Sequence, residues 1–123
     1  MWRSILLVGF GSFVGGALRY VVSILVRPVA GFPFQTFIVN VVGCLLIGVL
    51  YGVFSKCSGA AGPWCLLLTT GLCGGFTTFS TFANESLSML QSGDWLMSAA
   101  YVAGSMVLGL GAVLFGYWLV SRF

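Results

Sequence analysis

The chain is short of charge. Of its 123 residues 6% are charged, the acids are limited to Glu85 and Asp94, and histidine is absent, whereas a typical soluble domain has roughly 25% charged residues. A serine nucleophile would find almost no general base here, so no catalytic triad can be assembled. The basic residues are scattered, with no run that would indicate nucleic-acid binding. We therefore expect neither an enzyme nor a partner of nucleic acids.

The four cysteines of the chain do not have the spacing of a zinc site. Cys44, Cys57, Cys65 and Cys73 form no C-x-x-C pair, and there is no histidine to complete a ligand set. In an apolar chain these residues are expected to pack as small hydrophobic side chains. A disulfide between Cys57 and Cys65 remains open, because both lie in or beside a loop.

Hydrophobic residues dominate instead. They make up 59% of the chain, and the mean hydropathy is +1.11. Since a membrane-spanning helix needs about 20 mostly apolar residues, this length allows about four spans. Turn-forming clusters, RPVAGFP, SKCSGAAGP and QSGD, separate the apolar segments. We predict an all-α integral membrane protein, a single four-helix transmembrane domain over 1–123, with spans at about 4–26, 36–54, 64–90 and 95–120.

The charges near the ends of these spans give a weak orientation signal. Short loops make neighbouring spans antiparallel, so both termini lie on one side together with Arg3, Lys56 and Arg122. The opposite side carries Arg27, and Arg19 as well if that side chain extends outward. So small a bias allows the chain to insert in either orientation.

Glycine is abundant within the spans. Gly11 and Gly15 form a G-x-x-x-G pair in the first span, among 18 glycines in all. Small residues let membrane helices approach closely, because association there depends on packing. We expect the first span to be packed tightly at this pair.

The segment GGFTTFSTF, from Gly74 to Phe82, is the main exception to the apolar pattern. Glycines are poor helix formers, and threonine hydroxyls compete for backbone hydrogen bonds. One interpretation is a break near the middle of the third helix, which in transporters exposes backbone groups to ions. The other is a continuous helix whose hydroxyls bond back to preceding carbonyls. The central position and the neighbouring aromatics favour the break.

Phe79 and Phe82 lie three residues apart, so they share a face if helix resumes after the break, with Glu85 three residues further. Aromatic rings have an electropositive edge, so these rings could line an anion path without a fixed charge. Packing in the core is the alternative.

Other polar residues within the spans also have two interpretations. The amide of Asn40 could donate to an anion or to another helix. Tyr101 and Ser105 recur at a four-residue interval, and interhelical hydrogen bonds would explain them as well as a polar track. Arg19 and Glu85 are charged residues within spans, where such groups pair, reach the interface or face water.

Motifs in all four spans resemble those of a known family. GSFVGGALRY, FIVNVVGCLLIG, GLCGGFTTFSTFANE and YVAGS are similar to segments of the small bacterial fluoride channels, the Fluc or CrcB family. The resemblance implies an antiparallel, dual-topology homodimer in the bacterial inner membrane, with two pores through which fluoride passes without energy input. Its partners would be fluoride, a second copy of the chain and the lipid bilayer.

The resemblance also implies roles for individual residues. It assigns the fluoride pore to Asn40, Phe79, Ser80, Thr81, Phe82, Tyr101 and Ser105. It places Arg19 and Glu85 at vestibules or in structural pairs, and it implies a structural sodium ion at the dimer centre, held by the backbone carbonyls of Gly74 and Thr77 from each subunit. Gly109 departs from the pattern, since relatives can carry a hydroxyl residue there, which would shorten the polar track.

Neutral donors suit the expected ion. Fluoride is small and strongly hydrated, so a selective pore must replace its water with several donors and still release it. A buried arginine could trap the ion. The competing function is a dual-topology, proton-coupled multidrug exporter, which needs a carboxylate in the first span. This first span has Arg19 and no acid.

Overall fold

A computed structural model describes residues 1–57 and 62–123, and within these ranges the chain is helical apart from its connections. Its only β pairing there is an isolated bridge between Val29 and Phe32. The prediction of an all-α fold is confirmed. The helices are α1 (Trp2–Leu25), α2 (Phe34–Lys56), α3 (Pro63–Cys65), a π-helical segment (Leu66–Cys73), α4 (Gly74–Phe76), α5 (Phe79–Gln91) and α6 (Trp95–Ser121).

Four helical stretches are long and apolar enough to cross a membrane. They are α1, α2, α6 and the composite third span from Pro63 to Gln91. The chain is therefore a multi-pass membrane protein. The helices extend one or two residues beyond most of the predicted span ends, because span limits estimated from hydropathy omit the polar and proline residues that helices include at their termini.

The third span is broken, as predicted, but not where the glycines begin. Gly74 is helical, with φ −64° and ψ −36°, and the chain becomes extended at Thr77 (ψ 159°) and Thr78 (φ −149°, ψ 117°). Within the segment Gly74–Phe82, the break therefore lies at Thr77 and Thr78 and leaves Gly74 in the helix. Glycine only weakens a helix, and the helical hydrogen bonds continue as far as the Thr77 N–H, which donates to the Cys73 carbonyl oxygen at 3.0 Å. The pattern ends at Thr78, whose N–H donates to Asn40 Oδ1 at 2.8 Å and whose hydroxyl accepts from the Thr81 N–H at 3.2 Å.

The glycines of the third span serve close packing against α1. An added Cβ at Gly75 would lie 2.7 Å from the Cα of Ser12, and one at Gly11 would lie 2.9 Å from the Cα of Gly71. A Cβ at Gly15 would collide with the carbonyl oxygen of Leu72. The close approach expected at the G-x-x-x-G pair is confirmed, and the surface it contacts is the π-helical segment.

Helices α2 and α6 form the other close pair. An added Cβ at Gly116 would lie 2.5 Å from the carbonyl oxygen of Leu45, and one at Gly48 would collide with that of Val113. Helix α5 joins α6 through a glycine-ended turn, in which Gly93 (φ 87°) adopts the left-handed conformation that ends many helices. This short turn brings α5 back against α6.

The cysteines are all free thiols. Cys57 is exposed and Cys65 is partly buried, so the disulfide considered between them is not formed. The turn predicted over SKCSGAAGP falls partly on residues 58–61, which lie outside the described residues.

Candidate functional site

Asn40 of α2 pairs with the extended backbone at the break. Its Nδ2 donates to the carbonyl oxygen of Thr78 at 3.1 Å, and the Thr78 N–H donates to its Oδ1 at 2.8 Å. Of the two interpretations, the bond to another helix is present in the structure. One N–H of the amide remains for another acceptor, since a carboxamide NH₂ has two donors.

Thr77 is held from two further sides. Arg19 of α1 places Nη1 3.5 Å from the Thr77 carbonyl oxygen, a long contact. On α2, Gly43 has no Cβ because the Thr77 methyl group occupies that space. The first, second and third spans therefore meet at the break.

A hydroxyl cluster begins α5. Thr78 accepts a hydrogen bond from the Thr81 N–H at 3.2 Å, which is the usual arrangement at a helix N-terminus. Its hydroxyl also donates to Thr81 Oγ1 at 3.0 Å and lies 3.4 Å from Ser80 Oγ. Sequence reasoning placed Ser80 and Thr81 near a pore but gave Thr78 no role of its own. Its position directly before the periodic apolar residues Phe79 and Phe82 was the available signal.

Phe79 and Phe82 lie on adjacent turns of one face, with ring centroids 5.8 Å apart. Their environments differ: Phe79 is 78% exposed and Phe82 is 8% exposed. The Phe82 ring packs on Tyr101 at 5.0 Å between centroids. Phe82 therefore belongs to the core of this chain, while Phe79 projects away from it.

Glu85 accepts two short hydrogen bonds. Thr36 donates to its Oε1 and Tyr101 to its Oε2, each at 2.7 Å. Two donors from neighbouring helices satisfy a carboxylate well. Tyr101 is fully buried, so its hydroxyl serves an interhelical bond. Sequence reasoning missed Thr36, although it lies one turn before Asn40 on the same face of α2.

Two cavities adjoin these groups. The first, of about 350 Å³, lies beside the break, and its lining includes Asn40, Cys44, Gly74, Thr77, Thr78, Phe79, Phe82 and Ser105. The Ser105 hydroxyl oxygen is buried there and has no hydrogen-bond partner among the described residues. The second cavity, of about 370 Å³, is more polar, and its lining includes Arg19, Gln35, Thr36, Thr78, Thr81 and Glu85.

Most of the predicted site residues line one of these two cavities, whereas Ser80 and Tyr101 line neither. The first cavity collects Asn40, Phe79, Phe82, Ser105, Gly74 and Thr77, and the second collects Arg19, Thr81 and Glu85. Among the described residues Arg19 and Glu85 share a cavity without making a direct hydrogen bond. An added Cβ at Gly109 would lie 3.4 Å from Cys44 Sγ. The Cys44 thiol therefore occupies much of the space beside Gly109, the position that departs from the family pattern.

The first cavity includes several uncharged donors within a largely apolar lining. An amide N–H, a hydroxyl and the edges of two aromatic rings can all present positive partial charge to an anion. The start of α5 adds to this, because the first amides of a helix have no acceptor in a preceding turn and favour negative charge. The cavity is suited to a small anion.

A membrane protein whose broken helix borders a polar cavity at membrane depth belongs to the class of channels and transporters. Comparison with known proteins specifies this class. Residues 6–117 match the family described as "CrcB-like protein, Camphor Resistance (CrcB)", and the chain belongs to this family.

Several curated relatives share one printed name, "Fluoride-specific ion channel FluC". The protein from Phocaeicola vulgatus is 45% identical over 119 residues, covering 95% of this chain and 98% of its own length. That from Chloroflexus aurantiacus is 45% identical over 119 residues, covering 95% of this chain and 94% of its own. The protein from Leptospira interrogans is 37% identical over 123 residues, covering 98% of this chain and 97% of its own length. The similarity extends over nearly the whole chain.

Proposed function

We propose that this protein is a fluoride channel that lets fluoride leave the cytoplasm passively across the bacterial inner membrane. The observation that carries the proposal is the cavity at the helix break, where Asn40, Ser105, Phe79 and Phe82 supply donors without a fixed charge. Family membership and the printed name of the relatives agree with this chemistry. The protein is not an enzyme in this proposal, since it moves an ion without transforming it.

Uncharged donors explain how an anion can be both bound and released. Several of them together replace part of a hydration shell, while each holds the ion weakly enough for it to leave. The Ser105 hydroxyl is buried and bonds to no residue that the structure describes, and a buried group without a partner costs free energy. A permeating anion is such a partner.

Proton-coupled export fits the structure less well. The carboxylate within a span, Glu85, lies in the third span and accepts hydrogen bonds from Thr36 and Tyr101. Both oxygens of that carboxylate are therefore already bonded to other side chains of this chain. The first span, where such an exporter needs its carboxylate, has Arg19 and no acid.

A second copy of the chain completes the pathway in this proposal. Phe79 borders the cavity yet is 78% exposed, so a neighbouring subunit is needed to enclose it. The weak charge bias of the loops permits the two copies to insert in opposite orientations. The functional unit is then an antiparallel homodimer within the lipid bilayer.

The break also fits a structural sodium ion. Because Thr78 N–H bonds to Asn40, it does not supply the usual helical donor to the carbonyl oxygen of Gly74. No hydrogen bond between described residues reaches that oxygen, and the Thr77 carbonyl has only the long Arg19 contact. Carbonyl oxygens are ligands that hard cations prefer. Gly74 and Thr77 from both subunits would hold the ion and keep the two breaks in place.

Ion efflux from liposomes that contain only the purified protein tests the proposal. Liposomes are loaded with fluoride or with chloride, and release is followed after dilution, with protein-free liposomes as the baseline. We expect rapid fluoride release, little chloride release and no requirement for a proton gradient. Equal release of the two anions, or release only when a proton gradient is imposed, would refute a fluoride channel.

A further inference from the structure

Asn40 makes two hydrogen bonds to the backbone at the break, which a residue that only lines a pore does not need. We propose that Asn40 is a positioning residue, which fixes the extended Thr77–Thr78 segment in its conducting geometry and in doing so fixes the direction of its own remaining N–H. The proposal rests on the channel function proposed above and adds a separate role for this residue.

The geometry of Thr78 explains why a carboxamide fits. With φ −149° and ψ 117° the residue is extended, so its own N–H and C=O point to the same side, as in a β-strand. A carboxamide likewise presents one donor and one acceptor side by side. The two bonds at 2.8 and 3.1 Å therefore pair Asn40 with Thr78 as a neighbouring strand would.

This pairing satisfies backbone groups that have no other partner. Within the described residues, no other hydrogen bond involves the Thr78 N–H. An unpaired backbone group in the membrane is costly. Asn40 thus makes it possible for the chain to leave the helix at this position.

The pairing also determines which way the amide faces. Rotating it by 180° would place Oδ1 against the Thr78 carbonyl oxygen and NH₂ against the Thr78 N–H, and would lose both bonds. The second N–H of the amide is then available to an outside acceptor, and Asn40 lines the cavity. An approaching anion meets this donor without any cost of reorienting it.

Gly43, one turn further along α2, positions the same segment independently. The Thr77 methyl group lies where a Cβ of Gly43 would be. Asn40 and Gly43 therefore set the position of Thr77 and Thr78 relative to α2, one through hydrogen bonds and the other through close contact. Gly43 contributes no donor to the cavity, so it separates positioning from ion binding.

The first measurement is amide hydrogen exchange in fluoride-free nanodiscs, resolved at Thr78, for the wild type and Asn40→Ala. We expect exchange of the Thr78 amide to be about tenfold faster in the variant, because one net hydrogen bond is lost. Asn84→Ala, which removes an exposed amide from α5, is the matched control and should leave the Thr78 amide unchanged. Unchanged exchange in Asn40→Ala would overturn the pairing.

The second measurement is a double-mutant cycle on fluoride efflux with Asn40→Ala and Gly43→Ala. If both residues act by positioning one segment, each variant slows efflux and the double variant is slowed by less than the product of the two effects. Independent, multiplicative effects would mean that Asn40 acts by donation alone, and normal efflux in Asn40→Ala would exclude it from both roles. The exchange experiment needs no transport. If the wild type fails to conduct fluoride, the proposed function fails while the pairing of Asn40 with Thr78 is still tested.

Discussion

At the scale of single residues, several polar side chains within the spans bond to neighbouring helices. Glu85 is the clearest case, because Thr36 and Tyr101 each donate to one of its oxygens at 2.7 Å. The loss of such a bond in a buried setting costs more free energy for a charged group than for a neutral one. The stability of the fold should therefore depend on these two donors.

We predict that Tyr101→Phe lowers the free energy of unfolding by about 1.5–3 kcal/mol, the usual range for a hydrogen bond to a charged group. Tyr117→Phe removes a hydroxyl from the same helix at a half-exposed position and is the control, with almost no expected loss. Thermal denaturation in detergent compares the two. Equal stability of the two variants would show that the Tyr101 bond contributes little.

The two phenylalanines should respond differently to replacement by isoleucine. Phe79→Ile should reduce fluoride efflux and leave the stability of the isolated chain nearly unchanged, because the ring is largely exposed. Phe82→Ile should reduce efflux and also destabilise by about 1–3 kcal/mol, since its ring packs on Tyr101. Efflux and thermal denaturation measured on the same preparations separate these effects. Normal efflux in both variants would assign the rings to packing only.

At the scale of elements, the third span departs most from an ordinary membrane helix. A π-helical segment, Leu66–Cys73, precedes α4 and the break. Such segments are rare in proteins, and those that occur are often found at functional sites. This one also forms the surface against which α1 packs, with Gly11 and Gly71 in direct contact. The interface between these two elements lies directly before the break in the chain.

Neighbouring glycines of α1 allow a controlled test of that interface. At Gly15 a Cβ would collide with the backbone of the π-helical segment, whereas at Gly16 nothing lies within 4 Å. Gly15→Ala should destabilise the protein by about 1–3 kcal/mol through overpacking and reduce efflux. Gly16→Ala should be neutral or slightly stabilising in a helix. The prediction is wrong if the two variants have the same melting temperature in detergent.

At the scale of the whole molecule, the proposed dimer and its sodium ion depend on each other. Carbonyl oxygens of Gly74 and Thr77 from two chains form a complete site only after assembly, so sodium should stabilise the dimer by mass action. Replacing sodium with a large organic cation should lower dimer stability or fluoride efflux. Thr77→Ser should be mild, because the backbone carbonyl is retained. Dimer affinity that is independent of sodium in lipid bilayers would contradict the site.

Much of this protein follows from its sequence. Low charge and four long apolar segments determine a four-helix membrane protein, because hydrocarbon tolerates little else. The run of glycines and threonines indicates a break, since these residues support a continuous helix poorly. The motifs identify the family. These conclusions depend on local composition and order, which tertiary contacts scarcely alter.

Only the tertiary structure decided where the break lies and what holds it. The helix continues through Gly74, because α1 packs closely against the glycines, and it ends where Asn40 can take both backbone groups of Thr78. The partners of Glu85 also come from two separate helices, α2 and α6. Contacts between residues far apart in the chain depend on how helices are rotated and aligned, which hydropathy and spacing do not specify.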